Sequence, residues 1–549
     1  MATAGRFRQS DSHRLEIAFI AAVTLLGLAL RLRLIGNSLF GDELSTYSIV
    51  TGHSPAAIVR TLDGHSVDLT PPLYFLLAWL AERLGSSPEL LRLFSCAAGV
   101  ATIPATYLLG RRTLGRRSAA TGAVLVSLSP MLIFYSSEAR AYALVMFLVL
   151  ASTLALLEAL RTNRPAWWAA YALLQCAAVY SQYTAVFALV AQLIWAVIAH
   201  PQRARWALLA SLASAAAFSP WLPVVAKNTT SFGTTVFQII EPFGWAAISH
   251  DVSHWMIGHP YLTLSAEPGA IAIGLIAAGT LGGAVGGLLA RSPSPRRWAE
   301  PLLPLVLALA TPVGLAAYSA LGTSTWDLRN LISSWPGFAL VLGALASAPP
   351  ARWRIVTVGL VLAGFAVGAG KLMSPADQRP DYAAAAAFVL AQGARTDPVA
   401  IIPAPTPGPY AGPDAAFAFA GDPRRPLLRV GAPSLDAVLR APPYAALPAT
   451  PTSTLVASTV RSPSDGRLFV ITPGTAGIDA LLHSGAVDTA RVLGPVFGSG
   501  PTGALLGTVF PPLSAYLRAI SSRFEWVRTI RLPGFLRLSV YEFRARRTP

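Results

Sequence analysis

The stretch LEIAFIAAVTLLGLALRLRLIGNSLFGDEL occupies residues 15–44 and joins a long apolar run to a pair of acidic residues. The run from Leu15 to Ile35 is long enough to cross a bilayer, which takes about 20 apolar residues. Asp42 and Glu43 follow soon after it, so they are expected at the membrane surface. Ionisable side chains are costly there and mark candidate functional sites. We therefore expect an integral membrane protein with a site just beyond its first helix.

The composition supports a membrane protein. Of the 549 residues, 54% are hydrophobic and only 12% are charged, whereas soluble domains carry about 25% charged residues. No small-residue cleavage site follows the first apolar run, so we interpret it as an anchor and not as a cleaved signal. The net charge of +16 is accounted for by the Arg and Lys that collect in cytoplasmic loops. We therefore expect no nucleic-acid partner.

Apolar runs recur along the first two thirds of the chain and predict about eleven transmembrane helices. They lie at about 15–35, 90–110, 119–136, 141–160, 166–181, 184–199, 206–226, 267–290, 299–321, 329–347 and 353–372. Arginines occupy every second loop, beginning before the first run, which is the pattern of a cytoplasmic N-terminus. The basic positions are Arg6, Arg8, Arg14, Arg111, Arg112, Arg116, Arg117, Arg161, Arg164, Arg203, Arg205, Arg291, Arg296, Arg297, Arg352 and Arg354.

The chain changes character after residue 373, where Pro, Ala and Gly become frequent. Short apolar runs bounded by turn residues predict strands, and two further segments predict helices. The strands are Val399–Ile402, Leu468–Ile471 and Leu536–Tyr541, and the helices are Asp381–Gln392 and Ser514–Ser521. The middle, roughly 405–460, has a disordered-looking composition. We predict a transmembrane module over 1–373 and a small soluble α/β domain over 374–549, which an odd number of spans places outside the cell.

Asp42 and Glu43 have two interpretations that spacing alone does not separate. A carboxylate at the membrane surface can act as a general base towards an attacking hydroxyl. An acidic residue at this point can equally cap a short helix that begins near Leu44. Further along the same loop, Pro71-Pro72 predicts the start of a helix over Leu73–Leu84 that is too short to span and lies along the interface.

Other polar residues fall in loops predicted on the same external face. Arg140 suits a phosphate, because its planar fork donates two parallel hydrogen bonds, but a salt bridge with Glu138 explains it equally well. Arg329 opposes the positive-inside pattern and so requires an anion. Gln182 and Tyr183 join two predicted spans, where an interfacial anchor is the simpler interpretation.

A histidine-containing loop offers residue types that bind metals, but its spacing matches no known metal site, so a solvated or substrate-contacting surface is favoured. The residues are His250, Asp251, His254 and His259.

The order of these motifs resembles the GT-C fold membrane glycosyltransferases, in the branch of the protein O-mannosyltransferases and aminoarabinose transferases. The motifs are Gly41-Asp42-Glu43, Pro71-Pro72-Leu73-Tyr74, Leu91-Arg92-Leu93-Phe94-Ser95, Tyr135-Ser136-Ser137-Glu138-Ala139-Arg140-Ala141-Tyr142, Tyr180-Ser181-Gln182-Tyr183 and Arg329 followed by Trp335-Pro336-Gly337. The resemblance covers about residues 15–345. It departs from the family pattern at Thr70, Ser137 and Gln182, which bears on the identity of donor and acceptor.

The resemblance implies a polyprenyl-phosphate sugar donor and a catalytic carboxylate in the first external loop. By position, Asp42 would be that carboxylate, with Glu43 beside it. Glu138, Arg140, Gln182 and Tyr183 would line the donor site, and Arg329 would contact the lipid phosphate.

We therefore predict a multi-pass plasma-membrane glycosyltransferase that needs no metal or other cofactor. It would move a mannose- or arabinose-like sugar, with inversion, to a glycan, lipid or protein acceptor of the cell envelope on the external face. The alternative is a transporter or flippase of lipid-linked sugars, although internal repeats and midplane charges, which are typical of transporters, are not evident. An external scaffold that binds cell-wall polymer leaves Asp42 and Arg329 unexplained.

The predicted topology can be tested with terminal tags. A tag after Pro549 should be accessible from outside intact cells and a tag before Met1 should not, because the basic loops alternate from a cytoplasmic N-terminus. Accessibility to a membrane-impermeant label measures this. If only the N-terminal tag were labelled in intact cells, the orientation would be opposite to the predicted one.

Overall fold

The computed structural model describes residues 2–63, 68–229, 243–290, 299–322, 324–401, 411–425, 427–429, 466–473, 520, 524–535 and 537–546. Helices fill the region up to residue 372, and a mixed sheet follows. The helices of the first region are Ala2–Ile35, Glu43–Val50, Pro55–Thr61, Leu73–Glu82, Pro88–Leu91, Leu93–Thr113, Arg116–Leu128, Pro130–Ser136, Tyr142–Thr162, Pro165–Ser181, Ala185–Ala199, Ala204–Phe218, Leu222–Asn228, Trp245–Ile257, Ala270–Leu289, Ala299–Leu321, Trp335–Ser347 and Ala351–Leu372.

Within the described residues, eight helices are long and apolar enough to cross a membrane, or nine if one bent pair counts as a span. Helices also occupy the remaining predicted positions, but Pro165–Ser181 and Ala185–Ala199 have only 17 and 15 residues. The polytopic helical fold is thus confirmed, while the number eleven stays a prediction. The short helix predicted over Leu73–Leu84 is present as Leu73–Glu82, and its location along the membrane interface stays a prediction.

A sharp bend shapes the centre of the bundle. The helices Arg116–Leu128 and Pro130–Ser136 meet at 58°. Pro130 cannot donate a backbone hydrogen bond, so the first helix ends before it. Ser129 caps the second helix by accepting a hydrogen bond from the Leu132 amide at 3.3 Å. The bend directs the chain into the segment 137–141, which carries Glu138 and Arg140.

Small residues let neighbouring helices approach closely, as is common where lipid gives no hydrophobic drive between helices. A Cβ on Gly283 would lie 2.4 Å from the Leu345 carbonyl oxygen, and one on Gly279 would lie 2.6 Å from the Thr357 carbonyl oxygen. On the outside of the bundle, Ile271, Leu212 and Leu289 leave most of their side chains exposed. That apolar outer surface is suited to lipid.

The C-terminal region contains a five-stranded sheet with the order β2-β1-β3-β5-β4. The strands are β1 (Val399–Ile401), β2 (Leu427–Arg429), β3 (Arg467–Pro473), β4 (Phe524–Leu532) and β5 (Leu538–Ala545). Strands β2, β1 and β3 run parallel to one another, whereas β5 pairs antiparallel with both β3 and β4. Helices Tyr382–Gln392 and Ala411–Phe419 belong to the same region.

The predicted strands fall on β1, β3 and β5, and the predicted helix at Asp381–Gln392 is present. The expectation of a disordered middle is wrong for Ala411–Phe419 and β2, because apolar residues there, such as Phe417, are buried. Strand β4 was not predicted. The predicted helix Ser514–Ser521 lies, except for residue 520, outside the described residues, and the domain boundary at 373/374 stays a prediction.

The C-terminal region packs against the loop that follows the first helix. Phe40 lies in the same hydrophobic cluster as Tyr382, Phe469 and Val540. Hydrogen bonds join Asn37 to Gln378 at 3.3 Å and Ser38 to the backbone amide of Ala383 at 2.9 Å. The segment just before Asp42 is therefore held by both parts of the chain.

Candidate active site

Glu43 is the centre of a buried hydrogen-bond network. Its carboxylate accepts hydrogen bonds from Arg92 Nε at 2.6 Å and Nη2 at 2.7 Å, from the Ala139 amide at 2.8 Å and from the Phe40 amide at 3.2 Å. The side chains of Glu43 and Arg92 are both fully buried. Burial raises the pKa of Glu43, but the charges of Arg92 and Arg379 and these hydrogen bonds more than offset it, so its pKa is lowered.

Arg92 extends this network to the chain that leaves the first helix. Its terminal nitrogens donate to the carbonyl oxygens of Ile35 at 2.7 Å, of Asn37 and of Ser38 at 3.1 Å. Each oxygen of Glu43 already accepts two hydrogen bonds, which leaves little capacity for a substrate proton. The geometry therefore argues for Glu43 as a structural residue, in contrast to the expectation that it shares the catalytic role.

Asp42, one residue earlier, has a different environment. It lies at the N-cap position of helix Glu43–Val50, but its side chain makes no capping hydrogen bond. Instead its carboxylate forms an ion pair with Arg329 and accepts a hydrogen bond from the Tyr142 hydroxyl at 3.3 Å. About a third of the side chain, 36%, is exposed. The capping interpretation is not supported, and Asp42 is the accessible member of the acidic pair.

Arg329 is held from its other side by Asp327. The Asp327 carboxylate accepts from the Arg329 backbone amide at 3.0 Å and from Nε at 2.8 Å. The Arg329 side chain is 20% exposed. Arg329 opposes the positive-inside pattern and so requires an anion. In this structure two aspartates, Asp42 and Asp327, supply that negative charge.

Arg140 is enclosed more completely. Its guanidinium pairs with both oxygens of Asp68, and Nη2 also donates to the Thr70 hydroxyl at 2.7 Å. Ser45 donates to the same Asp68 carboxylate. The side chains of Arg140 and Asp68 are only 7% and 5% exposed. Arg140 therefore ties the Asp68–Thr70 segment to the segment 137–141, and Ser45 joins the same Asp68 carboxylate to helix Glu43–Val50. Arg140 pairs with Asp68 and not with Glu138, the alternative partner that the sequence offered.

Glu138 is buried beside these groups, and its Oε2 atom makes no hydrogen bond within the described part of the chain. Burial raises its pKa to about 8; Arg379 opposes this shift, while the nearby Glu43 and Asp42 carboxylates add to it. Glu138 is thus largely protonated near neutral pH. That Glu138 lines the donor site stays a prediction.

Gln182 and Tyr183 lie at the edge of the site. Gln182 Nε2 donates to Asn330 Oδ1 at 2.7 Å, next to Arg329 in the chain. The Tyr183 hydroxyl accepts from Trp221 Nε1 at 2.9 Å and from Asn228 Nδ2 at 3.3 Å. Gln182 therefore supports the Arg329 segment, whereas the hydroxyl of Tyr183 faces a separate cluster.

Three residues of this site were not singled out from the sequence: Asp68, Asp327 and Arg379. Arg379 lies just past the last apolar helix, with its Nε 3.5 Å from a Glu43 oxygen and its guanidinium 4.0 Å from the centre of the Phe134 ring. The acidic partners could have been sought as neighbours of unexplained arginines. No local signal marks Arg379, because its role depends on contacts with distant segments.

The histidine-containing loop forms no metal site among the residues that the structure describes. His250 contacts Asp251 at 3.0 Å and stacks on His254, with 4.0 Å between ring centres. His259 is fully buried, and its Nδ1 accepts from the Tyr261 amide at 3.0 Å. Burial lowers the pKa of His259 to about 3, assisted by Arg379 and His254, so it is neutral.

The network around Glu43 predicts a stability effect. Glu43→Gln should lower the free energy of unfolding by about 3–5 kcal/mol, because it leaves Arg92 buried without its counter-charge. Thermal unfolding in detergent would measure the change. Glu89→Gln, which changes an exposed carboxylate near the same surface, is the control and should have little effect. Equal melting temperatures for wild type and Glu43→Gln would contradict the structural role.

Glu138 predicts a pH dependence of stability. Its folded pKa of about 8 lies above the ordinary value for glutamate, so the folded state binds the proton more tightly than the unfolded state does. Stability should then fall as pH rises from about 4.5 to 8. Glu138→Gln removes this pH-dependent contribution. The melting temperature of the variant should therefore increase relative to that of wild type as pH rises. Parallel curves across this range would contradict the raised pKa.

Comparisons with known proteins agree with this architecture. Residues 69–223 match the family model of the dolichyl-phosphate-mannose-protein mannosyltransferases. The fold is similar to ArnT from Cupriavidus metallidurans in the apo state, with a TM-score of 0.52, 11% identity and coverage of 97% of this chain and 98% of that one. The same protein bound to undecaprenyl phosphate gives a TM-score of 0.51, 12% identity and coverage of 96% and 97%. A search of curated proteins found no match.

At these identities the structural likeness concerns the fold, and the family match covers less than a third of the chain. The two together confirm the resemblance drawn from the motifs. This chain is a polytopic membrane protein with the GT-C fold, and it resembles the mannosyltransferases and aminoarabinose transferases.

Proposed function

We propose that this chain is an integral membrane glycosyltransferase that moves a sugar from a polyprenyl-phosphate donor to an acceptor of the cell envelope on the external face. The observation that carries the proposal is the position of Asp42, a partly exposed carboxylate in contact with Arg329. A general base and a phosphate-binding cation are thereby brought together. The mannosyltransferase family match and the fold likeness to a protein solved with undecaprenyl phosphate support the donor class.

The common location of the site residues supports the proposed side of the membrane. Asp42 and Asp68 belong to the loop after the first helix, and Glu138 and Arg329 belong to two other loops. The arginine pattern assigns all three loops to one face. Hydrogen bonds and ion pairs connect their segments directly. Because the opposite ends of the spans carry the arginine-rich loops, we assign the site to the external face.

In the proposed reaction, Asp42 accepts the proton of the acceptor hydroxyl as that oxygen attacks C1 of the sugar. The bond between C1 and the phosphate oxygen breaks, and the polyprenyl phosphate leaves with the electron pair. Arg329 stabilises the leaving phosphate through bidentate hydrogen bonds, a preorganised electrostatic effect. A single direct displacement inverts the anomeric centre. We propose that this cation makes a divalent metal unnecessary.

The two arginines differ in how well they suit this role. Arg329 is partly exposed, whereas Arg140 is enclosed and engaged with Asp68 on both nitrogens of its fork. We therefore propose Arg329 as the phosphate contact and Arg140 as a support for the loop 68–70. Mannose and arabinose are the sugars that we propose for the donor, and transfer assays with each polyprenyl-phosphate sugar would distinguish them.

Asp42→Asn tests the catalytic role. It keeps the size and much of the hydrogen bonding of Asp42 but cannot accept a proton, so kcat should fall by about 10²–10⁴. The assay is transfer from a polyprenyl-phosphate sugar by purified protein. Asp63→Asn, which changes an exposed aspartate of the same loop, is the matched control and should retain activity. Turnover at the wild-type rate in Asp42→Asn would exclude Asp42 as the base.

A further inference from the structure

Arg329 is shared by two carboxylates that hold it unequally. Asp327 is fixed by two hydrogen bonds, one to the backbone amide and one to Nε of Arg329, and it is only 12% exposed. Asp42 contacts the terminal Nη1 nitrogen of Arg329, and it is 36% exposed. Asp327 can therefore stay in place on one edge of the guanidinium while Asp42 leaves the other.

This sharing has a chemical cost for the reaction. The Asp42 oxygen that pairs with Arg329 also accepts the hydrogen bond of the Tyr142 hydroxyl, so this oxygen is already occupied and is not available to an acceptor proton. A guanidinium that already faces two carboxylates is, for the same reason, a weaker ligand for phosphate. Both groups become effective only when their mutual contact is broken, and an incoming phosphate is an anion of the right geometry to break it.

We propose that the donor phosphate displaces Asp42 from Arg329, so that donor binding itself releases the general base, while Asp327 keeps the arginine in position. This inference rests on the proposed function. The donor then binds productively before the acceptor is deprotonated. The Tyr142 hydroxyl, 3.3 Å from the Asp42 carboxylate, can keep the released side chain near the reacting atoms. Asp327 is in this scheme a positioning residue.

A binding measurement with undecaprenyl phosphate, the proposed leaving group, tests the exchange without turnover. If Asp42 competes for Arg329, Asp42→Asn should bind undecaprenyl phosphate about five- to tenfold more tightly than wild type, as expected when one partly exposed ion pair no longer has to be broken. The full-length chain in lipid nanodiscs is suitable for titration. Asp63→Asn should bind like wild type.

Two further variants separate competition from simple charge repulsion. In the Arg329→Gln background, Asp42→Asn should leave the affinity for undecaprenyl phosphate unchanged, because the guanidinium for which Asp42 and the phosphate compete is absent. Asp327→Asn should tighten binding less than Asp42→Asn does, because Asp327 does not have to move. Tightening by Asp42→Asn that persists without Arg329, or that Asp327→Asn reproduces in full, would show a general field effect and overturn the exchange.

A structure of the wild-type chain with undecaprenyl phosphate gives an independent answer if Arg329→Gln does not fold. Asp42 turned away from Arg329, with the phosphate on the guanidinium, supports the exchange, and an intact Asp42–Arg329 pair overturns it. Failure of the exchange can be distinguished from failure of the proposed function. Unaltered affinity in Asp42→Asn overturns only the exchange, whereas wild type that binds no undecaprenyl phosphate overturns the proposed donor class and the exchange with it.

Discussion

The buried ion pair between Glu43 and Arg92 fixes the loop on which the candidate site is built. Two charges without access to water are stable only if each is paired and hydrogen-bonded. Glu43 meets this condition with Arg92 and two backbone amides, and Arg92 meets it with three carbonyl oxygens of the segment 35–38. These hydrogen bonds fix the backbone conformation of the segment 35–38 after the first helix. They thereby also fix the position of Asp42, which follows this segment.

Similar residues acquire opposite roles from their surroundings. Asp42 and Glu43 are adjacent, but one is partly exposed beside an arginine and the other is buried and saturated with donors. Arg329 and Arg140 differ in the same way. Glu43 and Glu138 are both buried, but the hydrogen bonds and charge of Arg92 lower the pKa of Glu43, whereas burial raises the pKa of Glu138. Environment, more than residue type, assigns chemistry within such groups of carboxylates. The site combines a rigid support of internally paired charges with one accessible pair.

The features that depend on local sequence patterns, namely the helices and the common face of the site residues, were predictable from the sequence. Long apolar runs located the helices, and the alternation of arginines grouped Asp42, Glu138 and Arg329 on one face, where the structure shows their segments in contact. The sequence could not predict partners that lie far apart in the chain, such as Asp68 for Arg140, or the approach of Arg379 to Glu43. The distinction between Asp42 and Glu43 also requires burial, which no single motif reveals. The short predicted strands were found because their apolar residues fill a sheet core.

The packing of Phe40 has a consequence for biosynthesis. This residue is made early in synthesis, yet it belongs to one hydrophobic cluster with Tyr382, Phe469 and Val540, and its ring forms a T-shaped pair with that of Phe535 at 5.3 Å between ring centres. Domains near the N-terminus generally fold first during synthesis. Here the loop that carries the site cannot make all of its packing contacts until nearly the whole chain has been translated. A chain terminated between Arg379 and β3 would contain every residue of the site and still lack Phe469 and Val540 of this cluster.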